Sequence, residues 1–154
     1  MIVVSDTSPL TALLHIGRAE LLRQIFERVI IPPAVHSELL REHLALPSWI
    51  DVKAPGPIPT AITNARLDPG ETQALALALE LHASTVLMDE RRGRRVAESL
   101  GLEPTGVLGC LVLAKRDGFL HAVSPIIAEL QTVSGCWFDG ALISAILRAA
   151  GELV

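Results

Sequence analysis

Four acidic residues stand where they could act together. Asp6 follows the β-branched run Ile2-Val3-Val4-Ser5, and Asp89 follows Thr85-Val86-Leu87-Met88. Glu38 lies on the segment opened by Pro32-Pro33, and Glu71 ends the run Asp68-Pro69-Gly70-Glu71. Carboxylate oxygens are the natural ligands of magnesium and manganese, and such an ion serves phosphodiester hydrolysis by neutralising phosphoryl oxygens and activating water. Magnesium keeps several waters, so a few converging carboxylates suffice. Each acid also has a plain structural explanation. Asp6 and Asp89 suit turns or helix caps, Glu38 suits a solvated helix face, and Glu71 is the expected capping-box partner of Asp68. Taken one at a time, Glu38 and Glu71 are better explained structurally, whereas Asp6 and Asp89 fit both explanations equally. Two acids at strand ends in one small chain favour a shared site.

The elements that would position these acids can be read from the pattern. Strands are expected at 2–5, 29–31, 50–53 and 85–88, from short β-branched and apolar runs. A helix with Ser8 as cap and Pro9 in its first turn runs through 10–16 and stops at Gly17. Further helices are expected at 19–26, from Ala34 to about His43, from Asp68 to about His82, and after Glu90 as far as Leu100. The C-terminal third reads as three helices, 107–116, 125–133 and 141–150, packed on the core. The stretch 44–67 carries four prolines between Pro47 and Pro59 and reads as a surface loop or lid around the 50–53 strand.

Strands alternating with helices imply an α/β fold with a mostly parallel sheet and helices on both faces. The active crevice of such a fold lies beyond the carboxyl ends of its strands, where Asp6 and Asp89 both fall. The 154 residues suffice for one domain, 1–154, and are too few for two ordinary ones. Half the residues are hydrophobic, which excludes disorder, yet no stretch approaches the roughly 18 apolar residues of a membrane span. The N-terminus lacks the basic and long apolar regions of a signal peptide, so a cytoplasmic location is the expectation. A net charge of −4 argues against broad electrostatic adhesion to nucleic acid but leaves room for an acidic metal site.

Arg91, Arg92, Arg94 and Arg95 crowd the residues after Asp89. They suit bidentate binding of phosphates as well as they suit a solvated helix start. Arginines at a helix N-terminus oppose the helix dipole, which leans toward a role beyond helix stability. The five histidines show no metal-ligand spacing and receive no assignment. Cys110 and Cys136 are read as buried thiols, Trp49 as packed on the core, and Trp137 and Phe138 as docking the last helix.

Four segments together resemble the motifs of PIN-domain nucleases: Ser5-Asp6-Thr7-Ser8-Pro9-Leu10; Ile31-Pro32-Pro33-Ala34-Val35-His36-Ser37-Glu38-Leu39; Asp68-Pro69-Gly70-Glu71-Thr72-Gln73-Ala74-Leu75-Ala76-Leu77-Ala78; and Val86-Leu87-Met88-Asp89-Glu90-Arg91-Arg92-Gly93-Arg94-Arg95-Val96-Ala97. The flavour is similar to the DUF3368 branch, related to VapC-type toxins, and the likeness spans Ile2 to about Gly118. It implies a ribonuclease in which Asp6, Glu38, Glu71 and Asp89 converge on one magnesium or manganese ion. It further implies that Ser8 supports Asp6 through a hydrogen bond and that Glu90 adds an outer carboxylate. Glu71 stands where related nucleases often have Asp. RNA is the implied substrate, an antitoxin protein the implied occupant of the crevice, and homodimers are common among such proteins. A catalytically inactive binding or regulatory module on the same fold is the alternative. Nothing in the chain selects ribose over deoxyribose. An aspartyl-nucleophile phosphatase is disfavoured because Ser8 stands where its second acid belongs. Crowded carboxylates without a cation are expected to have raised pKa values.

Overall fold

A computed structural model describes residues 1–153. Its sheet has the strand order β3-β2-β1-β4-β5, with β1 (Ile2–Ser5), β2 (Arg28–Ile31), β3 (Ile50–Val52), β4 (Thr85–Leu87) and β5 (Pro104–Thr105). Every pairing is parallel. Around it run α1 (Thr7–His15), α2 (Glu20–Ile25), α3 (Pro33–Glu42), α4 (Thr60–Thr63), α5 (Pro69–Glu80), α6 (Arg91–Ser99), α7 (Val107–Arg116), α8 (Ser124–Thr132) and α9 (Gly140–Ala149). The α/β expectation therefore holds. No helix among the described residues is long and apolar enough to cross a membrane.

Alternation along the strands divides the interior into two cores. Val3, Val29, Ile31 and Leu87 point to one face, where α1, α2, α3, α7 and α8 cover them. Val4, Ile30, Val86 and Met88 point to the other, under α4, α5 and α6. Successive side chains of a strand take opposite faces, so strands buried on both read as continuous apolar runs. The last helix, α9, buries no residue fully and leans on the first core through Ile143, Ile146 and Leu147.

Chain direction across the sheet reverses at β1, with β2 and β3 laid to one side and β4 and β5 to the other. A crevice beyond the carboxyl ends is expected at such a switch point. The ends of β1 and β4 lie side by side, since Ser5 pairs with Leu87 and the Asp6 N–H donates to the Leu87 carbonyl at 2.9 Å. Asp6 and Asp89 thus leave the sheet at the same end.

Several details depart from the sequence expectation. Helix α1 begins at Thr7 with Asp6, not Ser8, at the cap position, and Pro9 sits in the first turn, where its missing N–H would have had no helical partner. Residues 44–67 are no free lid. Ile62 on α4 is wholly buried, and Ile58 and Leu67 pack against the second core. The two-residue β5 is too short to leave a pattern, and its Pro104 suits a sheet edge. Trp137 is 83% exposed and docks nothing, whereas Phe138 and Trp49 do pack on the first core.

Candidate metal centre

Asp6 occupies the N-cap of α1, yet its side chain makes no capping bond. The carboxylate is 6% exposed and faces the floor of a crevice at the switch point. Helix α3 brings Glu38 to the same place, where its Oε2 accepts a 2.7 Å hydrogen bond from the Thr7 hydroxyl. Helix α5 contributes its first turn. There Asp68 Oδ1 accepts from the Glu71 N–H at 2.8 Å, and Glu71 Oε2 accepts from the Asp68 N–H at 3.3 Å, a complete capping box. Glu71 therefore has the structural role expected of it and lines the crevice as well.

Gly70 marks the point of convergence. A methyl group there would lie 3.0 Å from Glu38 Oε1, 3.2 Å from Asp6 Oδ1 and 3.5 Å from Asp68 Oδ1. Three carboxylate oxygens thus face the side of Gly70 where a larger residue would crowd them. The donor set is oxygen only, which suits a hard divalent cation such as magnesium or manganese. The crevice, about 510 Å³, is lined by the carboxylates of Asp6, Glu38, Glu42, Asp68, Glu71 and Glu90 and by no lysine or arginine. Without a cation such a hollow repels a polyanion.

The electrostatics agree. Burial pushes the Asp6 carboxyl up to about 7, and the neighbouring charges of Asp68, Glu71 and Glu38 push the same way against the Thr7 N–H. Glu71 is raised mainly by burial and then by Asp68, with its own capping hydrogen bond opposing. The carboxylates stay spread. The tightest set of three His, Cys, Asp or Glu donors among the described residues lies elsewhere, at His15, Glu42 and His43.

Asp89 is placed differently from the other three. It lines the two neighbouring hollows, not the crevice, and its Oδ1 accepts from the Val107 N–H at 3.1 Å. Desolvation of its carboxylate raises its pKa, the Val107 N–H and the Arg94 guanidinium oppose, and contact with water along its exposed flank screens the effect. Glu90 is the acid from this turn that enters the crevice, close enough to Glu71 to raise it.

Ser8 is exposed and lines the crevice, but no hydrogen bond among the described residues joins it to Asp6. The hydroxyl that orients an acid is that of Thr7. Neither Thr7 nor Asp68 was singled out as a site residue from sequence. Asp68 carried a signal in its capping box, whereas Thr7 carried none beyond adjacency to Asp6.

Two of the arginines are tied down, Arg92 to the Ala65 carbonyl at 2.8 Å and Arg94 to the Met88 carbonyl at 2.9 Å. Arg91 and Arg95 are exposed and form no ion pair among the described residues. Together with Arg94, Asp89 and Glu98 they line a small arginine-rich recess that shares Asp89 and Arg94 with the larger apolar hollow, which in turn shares Ser8, Ala12 and Cys136 with the crevice. Acidic, apolar and basic hollows thus run side by side.

The family model described as DUF3368, PIN domain, matches residues 2–152, and no curated protein matches the chain.

Proposed function

We propose that this chain, which belongs to the DUF3368 family of PIN domains, is a ribonuclease whose magnesium or manganese ion is held by the crevice carboxylates. The family assigns nuclease-type function in general; the metal dependence and the choice of RNA are our reading. The observation that carries it is the gathering of the Asp6, Glu38 and Asp68 carboxylates around Gly70 in one crevice at the switch point of the sheet.

In this reading Asp6 and Glu38 are the principal ligands, Thr7 fixes the rotamer of Glu38, and Asp68 and Glu71 supply oxygens from the capped first turn of α5. Glu90 takes the fourth position that sequence gave to Asp89. Asp89 instead positions the start of α7 and the neighbouring Arg94. When bound, the cation neutralises the scissile phosphate and lowers the pKa of a water for in-line attack. Arg91 and Arg95 hold flanking phosphates in bidentate fashion, at a distance from the carboxylates that their charge would otherwise quench. The toxin resemblance adds an antitoxin and a second copy of the chain as protein partners. The exposed Trp137 and the apolar hollow beside it offer such a partner a surface.

The test is cleavage of a labelled RNA with manganese present and absent. Asp6→Asn and Glu38→Gln are each expected to lower cleavage by roughly a hundredfold or more, the scale of the several kcal/mol a bound cation supplies. Wild-type rates in both variants would reject the proposal.

A further inference from the structure

His15 and Glu42 line the same crevice, and His43 meets them there. One ligand atom from each lies within 4.8 Å of the others, although His15 and His43 are far apart in the chain. His15 is the last residue of α1, Glu42 the last of α3, and His43 the residue that ends α3. Two helix C-termini therefore point their negative dipole ends toward this spot, which favours a cation there.

Three further observations separate this group from a chance cluster. The His43 Nε2 atom is buried and has no hydrogen-bond partner. A buried unpaired nitrogen costs on the order of 1–3 kcal/mol unless something satisfies it. The second is a hydrogen bond of 3.1 Å between His15 Nδ1 and the Ser134 hydroxyl. The serine hydroxyl can accept from Nδ1–H, and in that tautomer Nε2 is free to bind a metal, the way metal-bound histidines are commonly oriented. The third is the spacing of His15 Nε2 and Glu42 Oε2, 3.8 Å. A small cation seated between these two atoms would be within reach of both.

We propose that His15, Glu42 and His43 bind one transition-metal ion of the zinc class, separately from the carboxylate end of the crevice. Two imidazole nitrogens and one carboxylate oxygen suit zinc and leave a fourth position open, whereas magnesium prefers oxygen alone. Ligands around a tetrahedral ion at bonds of about 2.0–2.1 Å stand about 3.4 Å apart, so small side-chain rotations close the set. The ion would join the ends of α1 and α3, the helix that follows Asp6 and the helix that carries Glu38. This proposal does not depend on the nuclease assignment.

The experiment is calorimetric titration of metal-free protein with zinc chloride in the presence of excess magnesium. One equivalent is expected to bind. His15→Gln and Glu42→Gln, both at exposed positions that leave the cores untouched, should each weaken binding at least about tenfold. Asp6→Asn should retain it. No stoichiometric uptake by wild type would overturn the proposal. So would uptake that survives both substitutions, or that disappears in Asp6→Asn, since zinc would then sit among the carboxylates.

Discussion

The two ends of the crevice are built by different means. At the carboxylate end, Asp6 stands where a buried strand stops, and Asp68 and Glu71 cap a helix whose first turn holds Pro69 and Gly70. Each position follows from local backbone rules. At the histidine end, the residues meet only because α1 and α3 pack against one another and stop at the same level. Chemistry placed by local punctuation shows in a sequence, whereas chemistry placed by tertiary contact between helix ends does not. The two ends also differ in what they favour: crowded oxygens that repel until a hard cation arrives, against imidazoles that accept a softer one.

The sharpest way to separate the ends is Asp6→Asn in metal-free protein. Asp6 has a folded pKa of about 7 against an ordinary 3.8. Below the lower value the acid is protonated in both states and costs nothing. As pH rises toward 7 the unfolded chain loses the proton first, so the fold is progressively penalised, and above about 7 the penalty is complete. Wild type without divalent ions should therefore lose stability between about pH 4 and pH 7. Asp6→Asn should lack that share of the loss and exceed wild type at pH 8 by on the order of 2–4 kcal/mol in urea unfolding. Manganese should stabilise wild type and not the variant. A variant less stable than wild type at pH 8 would mean that the buried Asp6 carboxylate is not penalised by its surroundings, and the contrast between the ends would fail.

Thr7→Val probes orientation without touching charge. The change removes the hydroxyl that donates to Glu38 and keeps the shape. Manganese affinity should fall about tenfold to a hundredfold, the usual effect of losing a partner that orients a ligand. Zinc uptake at the histidine end should not change. Equal losses at both ends would show that α1 and α3 respond as one body and that the two sites are coupled.

Legibility follows the same division. The four pattern-bearing strands, the parallel sheet and the capping box were readable because apolar runs and cap residues report local structure. Glu38 lies inside a helix with no punctuation of its own, so only its place within the family motifs raised it above a solvated residue. Sequence put Asp89 at the metal and Glu90 outside it, whereas Glu90 is the one that lines the crevice, because adjacent residues at the end of a strand diverge by a turn whose geometry no spacing encodes. The histidines were passed over for the corresponding reason: their separation in the chain matches no ligand pattern, and the contact between helix ends that unites them is tertiary.

Gly70→Ala gives the smallest effect and the most selective. Gly70 lies in the first turn of α5, where alanine is the better helix former by up to about 1 kcal/mol. Its new methyl would sit 3.0 Å from Glu38 Oε1 and 3.2 Å from Asp6 Oδ1, so both carboxylates must shift by a few tenths of an ångström. Side chains can move that far, which keeps the fold intact while displacing two carboxylates proposed as ligands. Unfolding should show equal or slightly higher stability, and calorimetry should show manganese binding weakened by roughly tenfold, about 1.4 kcal/mol. Zinc at His15, Glu42 and His43 should bind as before. Manganese affinity unchanged in a stable Gly70→Ala protein would place the cation away from this glycine and return the fourth acid to Asp89.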